Sequence, residues 1–156
     1  MPNLKQVSQG HPTHTAFTMI ELVFVIVVLG ILAAVAIPKF SATRTDAEIS
    51  KGRSDIASVR SAIVTERQTR LIKGDRFFIA TGSGDKQMDD GGLFGGVLLY
   101  PITDSTASGH WTYVSRDANK TTYKFKIGSS DTTFVYNRAD GTFDCTTGTY
   151  CSTLTD

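Results

Sequence analysis

The chain has 156 residues, with 16 Lys/Arg against 15 Asp/Glu and only two cysteines. That length holds one modest domain plus one extra element. A net charge of +1 gives no whole-molecule case for acidic substrates or for nucleic acid, which is not expected as a default partner.

The first sixteen residues, MPNLKQVSQGHPTHTA, are polar and contain a single lysine, Lys5. A strongly apolar segment follows. Leu22 to Ile37 is an unbroken run of sixteen non-polar residues, counting Gly30. As a helix it would be about 24 Å long, short of the roughly 30 Å hydrocarbon core of a bilayer. Extending back to Phe17 gives about 32 Å, at the expense of taking in the carboxylate of Glu21.

Three readings of this segment compete. A core helix of a soluble protein would need burial on every side, and the rest of the chain is too short and too polar to supply it. A secretory signal peptide would use Ala34-Val35-Ala36 as its cleavage site and release a soluble binding domain at Ala36. The long, weakly basic leader, the acid flush against the apolar run and Pro38 just past the cut weigh against that. The third reading is a retained membrane helix whose N-terminal edge is specified by Phe17 to Glu21.

The stretch A-F-T-M-I-E-L, followed by an apolar run that Pro38 ends, closely resembles the cleavage and methylation signature of type IV pilins and of type II secretion pseudopilins. The resemblance covers roughly residues 16 to 72. It implies a prepilin leader over 1–16, cleavage between Ala16 and Phe17, and N-methylation of Phe17. Glu21 would serve assembly and register, and Gly30 and Pro38 would loosen or kink the helix. The family's usual Gly before the cut is here Ala16, still a small residue. The resemblance further implies a structural subunit and not an enzyme. It would be single-pass in a bacterial inner membrane, with its head in the periplasm, and would become a filament after assembly. Its partners would be further copies and other pilin-like subunits, membrane lipid, a prepilin peptidase/methyltransferase, an assembly platform and an ATPase. The modest head favours the pseudopilin.

Segment 17–38 is thus read as the transmembrane and assembly helix, 39–75 as an amphipathic helical stem and 76–156 as the head. In the stem, Ile49, Ile56, Val59, Ile63 and Leu71 form one apolar stripe. Gly52 interrupts it at modest cost, and Lys73-Gly74-Asp75 reads as the stop. Residues 40–76 carry eight Lys/Arg to five Asp/Glu, while 77–156 carry six to nine. That imbalance is ordinary solvated surface, or an attraction between the stem of one copy and the head of another.

In the head, TGSGDKQMDDGG (81–92) reads as a solvated loop. Asp85, Asp89 and Asp90 are its candidate calcium ligands, although the EF-hand spacing is missing. LFGGVLLYPI (93–102) reads as a cover over the core. Strands are predicted at 110–115, 121–127 and 132–137, joined by hairpin turns, with a short return to Cys145. Tyr123, Phe125, Ile127, Phe134 and Tyr136 face inward. The expected class is α+β, a long helix packed on a small antiparallel sheet, as in a pilin. Cys145 and Cys151 fit no zinc signature. They read as a disulfide formed in an oxidising compartment, with two free cytosolic thiols as the alternative. His11 and His14 lie in the leader and His110 at a strand start. No nucleophile, phosphate-loop or metal motif appears, so no catalytic residue and no required cofactor is expected.

Overall fold

A computed structural model describes residues 17–81 and 86–156; the expected leader over 1–16, with His11, His14 and Ala16, and Asp85 lie outside the described residues. In chain order come α1 (Met19–Ile72), β1 (Trp111–Arg116), β2 (Lys120–Ile127), β3 (Ser130–Asn137), β4 (Thr142–Thr147) and α2 (Cys151–Thr155). The chain divides into two compact units, one ending at Phe40 and one running from Ser41 to Asp156. Helix α1 is assigned without a break through Gly30 and Pro38, so the helix does not stop at the proline.

In the second unit the stem stripe is buried where its spacing says it should be. Ile56, Val59 and Ile63 are in the core and Ile49 packs against it. Leu71 departs from the expected stripe, being 51 % exposed. A seven-residue repeat from Ile56 through Ile63 falls next on residue 70, and Arg70 takes that inward place. It is held there by Glu66 at 3.3 Å and Asp75 at 2.8 Å. The helix then ends in a Schellman motif. Gly74 adopts a φ of 83°, its N–H donates to the Leu71 carbonyl and the Asp75 N–H donates to the Arg70 carbonyl.

The four strands form an antiparallel meander in the order β1-β2-β3-β4. Alternation along β2 puts Tyr123, Phe125 and Ile127 inward, and Phe134 and Tyr136 do the same on β3. Register sets Phe125 opposite Trp111, Tyr123 opposite Phe134 and Tyr136 opposite Phe143. The result is an aromatic core. Trp111 lies 4.9 Å from Phe125 and 5.2 Å from Phe134, ring centre to ring centre. Such pairs add about 0.5–1.5 kcal/mol each beyond burial.

The 93–102 stretch covers that core except at Leu99 and Tyr100. Leu93 and Phe94 are buried and Val97, Leu98 and Ile102 pack against the core, whereas Leu99 and Tyr100 are 86 % and 82 % exposed. Phe94 reaches its place with a φ of 59°, an uncommon conformation for a bulky side chain. Its N–H donates to Asp89 at 3.1 Å, and its ring lies 4.4 Å from that of Tyr123.

Gly52 is not a mere interruption of the stem. A Cβ at this position would sit 2.6 Å from Cε1 of Phe125 and 2.8 Å from Cδ2 of Leu154. The missing side chain is what lets the helix approach β2 and α2 this closely.

Candidate functional site

The first unit is a helix without a core of its own. Every large hydrophobic side chain from Phe17 to Phe40 is exposed, including Phe24 at 68 % and Ile31 at 64 %. Helix α1 is long and apolar enough to cross a membrane. Apolar surface on all sides is stable only against lipid or other apolar helices, so this surface is the candidate site.

Its N-terminal edge has a local structure that the sequence reading missed. Thr18 precedes the first helical residue, and the Glu21 N–H donates to the Thr18 hydroxyl at 3.3 Å. The Leu22 N–H donates to the Thr18 carbonyl at 3.2 Å. Thr18-Met19-Ile20-Glu21 has the T-x-x-E spacing of a capping box. Its signal was open to view in the sequence. Glu21 therefore stands in the first turn, where the N-terminal end of the helix dipole favours a negative charge. Phe17 is 84 % exposed, immediately before the cap. A Cβ built on Gly30 would meet nothing within 4 Å.

The second unit is closed by polar contacts spread along the stem. Glu48, only 8 % exposed, accepts hydrogen bonds from the Ser108 hydroxyl at 2.7 Å and the Gly128 N–H at 2.9 Å. Arg44 adds a third, at 3.1 Å. Burial pushes the Glu48 carboxyl up, but the Ser108, Gly128 and Arg44 donors together outweigh it and hold it below the usual range. Further along, Asp55 accepts from the Trp111 indole N–H at 3.0 Å. Arg53 donates to the Thr153 carbonyl at 2.6 Å, and Arg60 donates to the Phe143 carbonyl and the Asp144 carboxylate. Stem arginines thus serve the head of their own chain.

Cys145 and Cys151 are joined in a disulfide, which fastens β4 to the start of α2. Of the calcium candidates, Asp89 accepts from the Tyr123 hydroxyl, the Phe94 N–H and Arg116. Asp90 accepts from the Gln87 N–H. Among the described residues no group of three or more His, Cys, Asp or Glu is arranged to hold a metal. His110 precedes β1, and its carbonyl accepts from the Lys126 N–H.

No family model matches the chain and no solved structure matches it. Curated relatives do. It is 31 % identical over 75 residues to a fimbrial protein of Pseudomonas aeruginosa, covering 48 % of this chain and 46 % of that protein. It is 32 % identical over 72 residues to the type IV major pilin protein PilA of Myxococcus xanthus (strain DK1622), covering 46 % and 31 %. It is 37 % identical over 67 residues to the type IV major fimbrial protein FimA of Dichelobacter nodosus, covering 43 % of each. The chain thus spans less than half the length of these relatives. All are pilus proteins by name, which is consistent with a structural role. The chain is thus similar to type IV pilins and fimbrial proteins over less than half of its length, and its α+β fold, with a long apolar helix and an antiparallel sheet, is pilin-like.

Proposed function

We propose that the chain is a structural subunit that polymerises through its N-terminal hydrophobic helix into a type IV pilus-like filament or a type II secretion pseudopilus. The observation that carries this reading is the exposure of every large apolar side chain from Phe17 to Phe40. A bilayer covers such a surface before assembly, and neighbouring helices cover it afterwards. The names of the relatives favour the pilus over the pseudopilus. The disulfide suits a head on the oxidising, periplasmic side of the inner membrane.

In this reading a prepilin peptidase/methyltransferase removes residues 1–16 and methylates the Phe17 amine, which keeps its positive charge as a secondary amine. An ionised carboxylate within a bilayer costs about 2.5–3.5 kcal/mol or more. Glu21 is tolerated because its charge faces the Phe17 amine, first of its own helix and then of the subunit already in place. A subunit in the wrong register would leave that charge unpaired, at about 3–5 kcal/mol. An assembly platform and an ATPase would drive the addition.

Intact mass of the native protein tests the reading. A chain beginning at Phe17, with or without one methyl group, is expected. A chain beginning at Ile37 would assign it instead to ordinary signal peptidase, and retention of residues 1–16 would remove the charged end on which Glu21 depends.

A further inference from the structure

The hairpin turn between β1 and β2, continued into the first residues of β2, reads Asp117-Ala118-Asn119-Lys120-Thr121. Asn119-Lys120-Thr121 is the only Asn-x-Ser/Thr triplet in the 156 residues, and its middle residue is not proline. That triplet is the acceptor pattern for N-linked sugar on exported chains. By itself so short a pattern says little; the turn that carries it says more.

The turn ties down the backbone of Asn119 and leaves its side chain out. The Asp117 carboxylate accepts from the N–H groups of Asn119 and Lys120, at 2.8 Å and 2.7 Å. The Asn119 carbonyl accepts from the Arg138 N–H at 2.8 Å. Among the described residues the Asn119 side-chain amide has no hydrogen-bond partner, and the residue is exposed on the rim of an open groove of about 590 Å³. Asn137, outside any such triplet, makes the contrast. Its side-chain N–H donates to Asp140 and its side-chain oxygen accepts from the Ala139 N–H. Asn119 is thus the described asparagine whose amide nitrogen is open to reaction.

Two residues on, Thr121 is fully buried, opposite Arg116 of β1 and Tyr136 of β3. Valine would fill the same space without burying a hydroxyl, so packing alone does not call for threonine there. The acceptor pattern does, because it requires a hydroxyl at that place.

We propose that Asn119 is an N-glycosylation site, modified outside the cytoplasm before β2 pairs with its neighbours. The donor is a lipid-diphosphate-linked glycan and the catalyst a membrane oligosaccharyltransferase. The Asn119 Nδ2 attacks the anomeric carbon, forming a C–N bond as the C–O bond to the diphosphate breaks. The lipid diphosphate leaves with the bonding electrons, and one amide proton passes to a base of the transferase. Once the sheet closes, Thr121 is out of reach and the sugar stands on the open turn. This rests on the filament reading only for export of the head.

Chymotryptic peptides of the native protein are mapped by electron-transfer fragmentation. The peptide 114–123 should carry whole sugar residues, placed on Asn119. Asn119→Gln should abolish the addition. Thr121→Ser should keep it and Thr121→Val should lose it, with urea midpoints showing that both variants fold. Folded full chain, purified from cells that lack a transferase, should accept no sugar when a bacterial oligosaccharyltransferase and its polyprenyl-diphosphate glycan are added. A native chain that begins at Phe17 but has a bare Asn119 overturns this proposal and spares the filament reading. A chain glycosylated at Asn119 that begins elsewhere does the reverse. Sugar on Ser115, Thr121 or Thr122 instead, sugar retained in Thr121→Val, or transfer to the folded chain also overturns the proposal.

Discussion

Glu21 and Glu48 are carboxylates on the same helix in opposite circumstances. The N–H of Glu21 donates to the Thr18 hydroxyl, and in the proposed assembly the Glu21 carboxylate takes its counter-charge from the Phe17 amine. Glu21→Ala is therefore expected to leave the chain membrane-inserted but to lower its share in filaments sharply, measured by comparing membrane and sheared-filament fractions. Glu48 has its donors already in place, and Glu48→Ala would strand the Gly128 N–H and Ser108 hydroxyl. A loss of about 1–3 kcal/mol is expected from urea unfolding. Its folded-state carboxyl titrates below the ordinary glutamate range, so its contribution is fully present above the unfolded value of about 4.3. The contribution is lost as pH falls through the lower, folded value. The advantage of the natural chain over Glu48→Gln should accordingly shrink between neutral pH and about pH 3. Nothing in the sequence marked Glu48, because it sits among exposed charges and its partners lie 60 and 80 residues away.

At the scale of elements, the contact of the stem with the sheet turns on a residue that sequence reading treated as a weakness. Val at position 52 would place methyl groups where Phe125 and Leu154 already lie. Phe125 is fully buried against Trp111 and has no room to yield. Gly52→Val is expected to cost about 1–3 kcal/mol, read as a lower urea midpoint at unchanged m value. The strands were more legible. Alternation in TTYKFKI and TTFVYN gave faces and order directly, since a period of two is local. Leu71 was misread because periodicity alone does not say which of two adjacent positions, 70 or 71, turns inward. A salt-bridged Arg70 took the place.

For the whole molecule, the division after Phe40 separates a unit that needs an apolar partner from one that does not. All the core residues lie from Ile56 onward, with Ile49 packed against them. A chain beginning at Ser41 is expected to be monomeric without detergent and to unfold cooperatively. Size-exclusion chromatography and a urea titration check this, and aggregation or a non-cooperative melt would show that the first unit is needed for folding.

The sequence by itself determined the apolar helix, its acid-marked edge, the inward faces of the strands and the class, because each is written in neighbouring residues. Only the tertiary structure decided that Gly52 is a contact point and that Glu48 is a clasp. It alone buried Thr121 while leaving Asn119 exposed. Those outcomes depend on side chains that lie far apart along the chain and meet only when the stem is laid on the sheet.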